Sequence, residues 1–211
     1  MVNNKKGKSK RKEEIKLSPK ERIIKNLIEN KKPRSILTLS GSAFVDYKNA
    51  YNIVNELQSE GIIAKESMGN TTPITLNLSP SQEIFNVESK RTEEFLSKNP
   101  KLRLIQKDIE EIGYPFMVVL VFGSHVKNTK TEFSDIDICI ISDNKEKTKK
   151  LVQSLNLLSL KLEIQEFTTD EFTSMIEKAQ NNLGHEIVKS NLIIYGIENY
   201  YNLISKWMKK E

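Results

Sequence analysis

The sequence predicts an α+β protein, with a helical N-terminal part closed by a hairpin and a C-terminal mixed sheet flanked by helices. Three patterns carry this reading. Phe116 to Phe122 is an unbroken apolar run between Pro115 and Gly123, and five of its seven residues are β-branched or aromatic, the mark of a buried strand. Ser134 to Ile141 alternates, so Ile136, Ile138 and Ile140 share one strand face and Asp135 and Asp137 share the other. Helical spacing of apolar residues dominates the stretches before and between these strands.

A chain of 211 residues has room for one large or two small domains. Its hydrophobic content of 37% and mean hydropathy of −0.48 suit a protein in water, and no apolar run approaches the ~20 residues of a membrane span. The basic N-terminus lacks the apolar core of a secretory signal. The single cysteine, Cys139, falls in a strand as a small core residue, so no internal disulfide is expected and the expected compartment is the cytoplasm. Charge is uneven. Residues 1–80 carry 15 Lys and Arg against 8 Asp and Glu, and the remainder carries 18 against 20. The basic part points to a polyanion such as nucleic acid, although most of the excess lies in the first 20 residues.

In chain order, residues 1–17 are polar, basic and poor in large apolar groups, which predicts a disordered arm. It would track DNA phosphates or serve only as a solubilising tail. Residues 18–80 form the first domain. Ser18, Pro19 and Glu21 spell a capping box with proline at the first helical position, and Ile23, Ile24, Leu27 and Ile28 line one face of the helix, which stops before Pro33. A short helix over Arg34 to Leu39 and a turn at Ser40-Gly41-Ser42 follow. Asp46 caps a third helix that buries Ala50, Ile53, Val54 and Leu57 and ends at Gly61. Ile62 to Glu66 and Pro73 to Leu78 make a hairpin around Met68-Gly69-Asn70. Three helices and a hairpin, joined through residues 52–66 (NIVNELQSEGIIAKE), resemble a winged helix-turn-helix. That resemblance implies DNA contacts from Tyr47, Lys48, Asn49, Tyr51 and Asn52 on the third helix and from Lys65 and Asn70 on the hairpin. The third helix is not rich in Lys or Arg, and such modules also bind proteins or dimerise.

Residues 81–99 read as a helical linker opened by Ser79-Pro80-Ser81-Gln82, and a second domain spans 100–211, beginning with a helix that runs from Pro100 to Gly113. Beyond the two strands already described, Asn144 to Leu157 is a helix whose lysines face solvent. Ser159 to Phe167 is a strand with Leu160, Leu162 and Ile164 on the core face. Thr169 opens another helix, Leu183 to Asn191 a further one, and Leu192 to Tyr195 is a short strand closed by Gly196. An amphipathic helix over Glu198 to Lys209 ends the chain.

Asp135 and Asp137 on one strand face repel each other unless a cation sits between them, and carboxylate oxygens suit a pair of Mg2+ ions. Gly123-Ser124, directly after a strand, lets the backbone approach a phosphate closely. Ten residues separate Ser124 from Asp135. Gly-Ser, ten residues, then Asp-x-Asp resembles the signature of the polymerase-β-like nucleotidyltransferases, closest to their minimal branch, over roughly residues 100 to 200. Ile193-Ile194-Tyr195-Gly196 resembles the short strand that precedes the last helix there.

The resemblance implies transfer of a nucleoside monophosphate, AMP from ATP or another nucleotide from its triphosphate, with two Mg2+ ions or Mn2+ in their place. Asp135, Asp137 and a third carboxylate would be the catalytic, metal-holding residues. Matching residues 167–172 to the family's strand-to-helix junction places Glu163 third, and the strand alternation agrees by turning Glu163 away from Leu162 and Ile164. Most minimal members carry aspartate there, and Asp170 and Glu166 are weaker candidates for the same place. Gly123, Ser124 and Lys127 would bind the nucleotide. His125-Val126-Lys127-Asn128 replaces the common Arg-x-Arg-Gly, with Asn128 able to adopt the left-handed turn. The acceptor is a hydroxyl of a companion protein, as in toxin–antitoxin members, or of a small molecule. The alternative is a non-catalytic DNA-binding regulator whose transferase-like domain binds nucleotide or forms a homodimer. No membrane partner is expected.

Overall fold

The computed structural model describes residues 15–66, 72–127, 129, 131 and 134–208. Helix α1 (Pro19–Glu29) starts on the expected capping box: Ser18 Oγ accepts the Glu21 N–H, and Glu21 Oε2 accepts the Ser18 N–H at 2.8 Å. Its four isoleucine and leucine side chains are buried.

Helix α2 (Ile36–Ser42) differs from the sequence reading at both ends. Arg34 is not helical. Its backbone exchanges two hydrogen bonds with Ile74, 3.0 and 2.8 Å long, and Ser35 becomes the cap. Ser40-Gly41-Ser42, expected as a turn, form the last turn of the helix instead. The hydroxyls of Ser40 and Ser42 donate back to the carbonyls of Leu37 and Thr38, so they are absorbed into the helix and do not break it. Burial of Leu39 and Ala43 holds that turn down. The chain reverses one residue later, at Phe44, whose φ of +51° is left-handed.

Asp46 caps α3 (Tyr47–Ser59), accepting the Asn49 N–H at 3.0 Å, and Ala50, Ile53, Val54 and Leu57 are buried as expected. The short strands β1 (Ile63–Lys65) and β2 (Ile74–Leu76) pair antiparallel with Ala64 opposite Thr75. The hairpin tip with Asn70, Asn128, and the arm as far as residue 14 lie outside the described residues.

Next come α4 (Gln82–Lys98), α5 (Arg103–Ile112), β3 (Val118–Phe122), β4 (Ile136–Ile141), α6 (Lys145–Asn156), β5 (Leu162–Phe167), α7 (Thr169–Ile176), α8 (Leu183–Lys189), β6 (Asn191–Tyr195) and α9 (Ile197–Met208). The helix read as reaching Asn191 stops at Lys189, because Asn191 pairs with Phe122 as the first residue of β6. The four long strands form one mixed sheet in the order β5-β4-β3-β6. Strand β3 is antiparallel to both neighbours, and β4 is parallel to β5. Strand alternation divides the core. Val119, Val121, Ile136, Ile138 and Ile140 face α5 and α6, whereas Val118, Leu120, Cys139 and Ile141 join the apolar groups of α7 to α9 and of the N-terminal helices. Among the described residues no helix is long and apolar enough to cross a membrane.

Helix α4 ties the N-terminal helices to the sheet. Thr92 Oγ1 donates to the Ile193 carbonyl at 2.6 Å. The Glu88 carboxylate, 1% exposed, accepts from the Arg91 guanidinium and from the Tyr201 hydroxyl at 2.8 Å. Arg91 also donates to the Asn191 carbonyl, and the Asn191 amide donates to the Tyr200 hydroxyl at 2.7 Å. Burial pushes the Tyr201 hydroxyl well up from the usual tyrosine range, and the nearby Glu88 charge adds to the rise. Removing one member of a buried ion pair strands the other, at a cost of about 3–5 kcal/mol. Glu88→Ala is therefore expected to lower unfolding stability by about that amount in urea titrations, far more than the loss of an exposed glutamate. A loss under about 1 kcal/mol would mean that water or the Glu29 carboxylate, 3.4 Å from Arg91, satisfies the guanidinium.

Candidate active site

Four residues form one row across the sheet. Glu163 on β5 is the parallel partner of Asp137 on β4, Asp137 pairs with Phe122 on β3, and Phe122 pairs with Asn191 on β6. The row crosses the end of the sheet where β3 finishes and the other three strands begin. Neighbouring strands lie about 4.8 Å apart, so Asp137 and Glu163, on the same face, are immediate neighbours. Asp135 precedes β4 by one residue and is exposed, and its charge is felt at Asp137.

Gly123 continues β3 into a single 3-10 turn, Gly123–His125, with φ of +68°. No longer helix starts at that point, so the turn offers backbone N–H groups without a full helix dipole. A Cβ on Gly123 would lie 2.0 Å from Asp137 Oδ2, and the Asp137 carboxylate accepts the Ser124 N–H. The carboxylate therefore rests against bare glycine backbone. Lys127 N and Thr129 N donate to the carbonyls of Gly123 and Ser124 at 3.1 Å, and His125 Nε2 lies 3.3 Å from the Ser134 carbonyl, which pins the returning loop near Asp135. The sequence assigned His125 no role, and its place directly after Gly-Ser was the only signal. Lys127 is exposed and lines a cleft with Asn30, Lys31 and Lys189.

The Asp137 carboxyl is held above the usual carboxylate range. Burial is the largest cause and the Glu163 charge the next. Asp135 adds to the rise, while the His125 charge and the Ser124 N–H oppose it. Carboxylate oxygens are the ligands a hard divalent cation takes, and a cation would relieve the Glu163 and Asp135 charges that, after burial, raise the proton affinity of Asp137. In donor chemistry the residues fit such an ion. Among the described residues, however, no three acidic, histidine or cysteine side chains already converge as a metal cluster, so binding would have to draw these carboxylates together.

Neutralising Glu163 should lower the Asp137 pKa. A raised pKa means the folded state holds the proton more tightly than the unfolded state. Ionising Asp137 therefore costs stability as the pH rises through its folded value. Metal-free Glu163→Gln is expected to unfold at or above the wild-type midpoint at neutral pH, with the gap closing in acid. Carbon-13 carboxyl titrations of both proteins check the shift directly, and an unmoved Asp137 would mean that the two carboxylates are independent.

On the N-terminal part, Tyr47 and Tyr51 are 54% and 48% exposed, and Lys48 and Asn52 are exposed beside them. Asn49 is half-buried next to the Asp46 cap, and Lys65 Nζ donates to Asn55 Oδ1 on α3. The structure thus gathers Tyr47, Lys48, Tyr51 and Asn52 on one exposed surface, with Lys65 at its edge.

The mixed sheet thus sets adjacent carboxylates beside a glycine-serine turn. The family model described as polymerase beta, nucleotidyltransferase matches residues 90–200, more than half of the chain, and the chain belongs to that family. The match opens inside α4, closes inside α9 and contains the whole row from Glu163 to Asn191. No curated protein and no solved structure matches the chain.

Proposed function

We propose that this protein is a metal-dependent nucleotidyltransferase that moves a nucleoside monophosphate, AMP from ATP, to a hydroxyl of a protein or small-molecule acceptor. The observation that carries the reading is the pairing of Asp137 with Glu163 across adjacent strands, with Asp135 beside them and Gly123-Ser124 packed against Asp137. The acceptor oxygen attacks the α-phosphorus, the bond from that phosphorus to the bridging oxygen breaks, and pyrophosphate leaves. Glu163 takes the acceptor proton. Ser124 and the backbone at Gly123 hold the β- and γ-phosphates, and Lys127 adds positive charge. Asp135 and Asp137, with Glu163, would hold two Mg2+ ions, for which Mn2+ substitutes, and the ions would supply charge stabilisation to the transferred and leaving oxygens.

The N-terminal helices and hairpin have the order of a winged helix-turn-helix, and the exposed Tyr47, Lys48, Tyr51 and Asn52 on α3 support a duplex-DNA role for it. The test is incubation of the full chain with α-labelled ATP and Mg2+, alone and with cell extract, followed by separation of labelled products. A labelled acceptor supports the reading. Absence of label with every nucleotide and metal, together with a shift of duplex DNA, would replace it with a non-catalytic regulator.

A further inference from the structure

Among the described residues, lysines and arginines do not collect on the outer face of α3. There Glu56 and Glu60 are engaged by Lys20, Lys48 stands beside two tyrosines, and Lys65 at the edge is held by Asn55. Described cations gather instead in a cleft of about 530 Å³ between the end of α1 and the end of α8. Lys31, Lys32, Arg34, Lys127 and Lys189 line this cleft, against Glu29 and Glu186. A deeper continuation reaches Arg91 and Asn191 and shares Lys31, Lys127 and Lys189.

The Arg34 guanidinium donates to Asn26 Oδ1 at 3.3 Å and to Ser42 Oγ at 3.5 Å, so its partners are neutral. Glu29 is engaged by Lys25 and Arg91, and no described carboxylate forms an ion pair with Lys31, Lys32, Arg34, Lys127 or Lys189. Lys31 reaches inward to the Val188 carbonyl as its one hydrogen bond. Burial pushes its ammonium down to about 8, with the Glu88 charge opposing the fall and the Arg91 charge adding to it. Gathering like charges around a half-buried ammonium is unfavourable unless an anion joins them. Five cations against Glu29 and Glu186 leave the lining three positive charges in excess, which successive phosphodiesters along a strand would answer.

We propose that this cleft binds the phosphodiester backbone of a single-stranded nucleic acid. Its volume is that of a small-ligand site and takes a few nucleotides of one strand, not a duplex. Its position suits such a strand. Lys189 and Ser190 lead into Asn191, which stands in the same sheet row as Asp137, and Lys127 belongs to the loop that leaves Gly123-Ser124. The inference does not require nucleotidyl transfer, because it concerns binding without nucleotide or metal.

The test measures fluorescence anisotropy of short labelled oligothymidylate and oligouridylate with the full chain, free of Mg2+ and ATP, from about 0.05 to 0.2 M salt. Lys32→Ala/Lys189→Ala removes two exposed cleft cations that the proposed transfer does not use. It is expected to weaken binding at least about tenfold. It should also reduce the salt slope by about 1.4, since each phosphate contact to a single strand contributes about 0.7. Lys145→Ala/Lys149→Ala, two exposed lysines of α6, should change neither. Preference for the ribose or the deoxyribose strand identifies the source, and either supports the cleft. Equal binding by wild type and the cleft variant, or equal weakening by the α6 variant, overturns it. So does Lys32/Lys189-dependent binding of tripolyphosphate when neither oligonucleotide binds.

Discussion

Asp135→Asn/Asp137→Asn is expected to transfer no detectable label from α-labelled ATP while folding as well as the parent. The proposed ions supply several kcal/mol to the transition state, and each 1.4 kcal/mol is a factor of ten in rate, so the loss should be at least about 10³-fold. Folding should survive because the Asp137 ion is already disfavoured by burial and by Glu163, and because an asparagine oxygen can still accept the Ser124 N–H. The variant's unfolding midpoint without metal should match or exceed that of wild type. Added Mg2+ should raise the wild-type midpoint and leave the variant's unmoved, since only a bound ion shifts the folding equilibrium. Retention of transfer would remove Asp135 and Asp137 from the chemistry. Loss of transfer with an unchanged response to Mg2+ would separate them from the metal.

Gly123→Ala should damage both stability and activity, and the two losses can be separated. A φ of +68° costs a non-glycine residue about 1–2 kcal/mol. The added methyl would also lie 2.0 Å from Asp137 Oδ2, so the carboxylate must move off the turn. A displacement near 1 Å at reacting groups costs about 10²-fold in rate. Gly61→Ala is the matched control. Its φ is +71°, but a Cβ there meets nothing within 4 Å, and it lies on the N-terminal part, away from the row. Both variants should lose similar stability in urea, about 1–2 kcal/mol, and only Gly123→Ala should lose transfer. If the two are equally active, the contact between Gly123 and Asp137 does not matter to the reaction.

Much of this architecture could be read from neighbouring residues. The capping box of Ser18 and Glu21, the Asp46 cap and the left-handed Gly61 each depend on side chains and backbone within one helical turn, and each formed where expected. The β3 and β4 strands followed from an apolar run and an alternation, although β3 begins at Val118 and not at Phe116, which is left exposed before the sheet. Where local signals competed, the reading slipped. Ser40-Gly41-Ser42 have turn composition, but Leu39 and Ala43 bury on either side of them and both hydroxyls bond back to the helix. Arg34 has no strand signal of its own and is recruited by Ile74, forty residues away.

The sequence by itself determined the fold class, the strand faces on which Asp137 and Glu163 fall, and the family, because a strand's period of two and a motif's spacing are properties of consecutive residues. The tertiary structure decided the rest. It set the register that makes Asp137 and Glu163 partners and the contact that leaves no room for a Cβ at Gly123. It closed Glu88, Arg91 and Tyr201 into one buried network, and it gathered Lys31, Lys127 and Lys189 into one cleft. Except for Glu88 and Arg91, which sit one helical turn apart on α4, the partners in these groups lie from more than ten to more than a hundred residues apart in the chain. Which of them meet depends on how strands pair and helices pack across the whole molecule, and no local pattern of residues encodes that pairing.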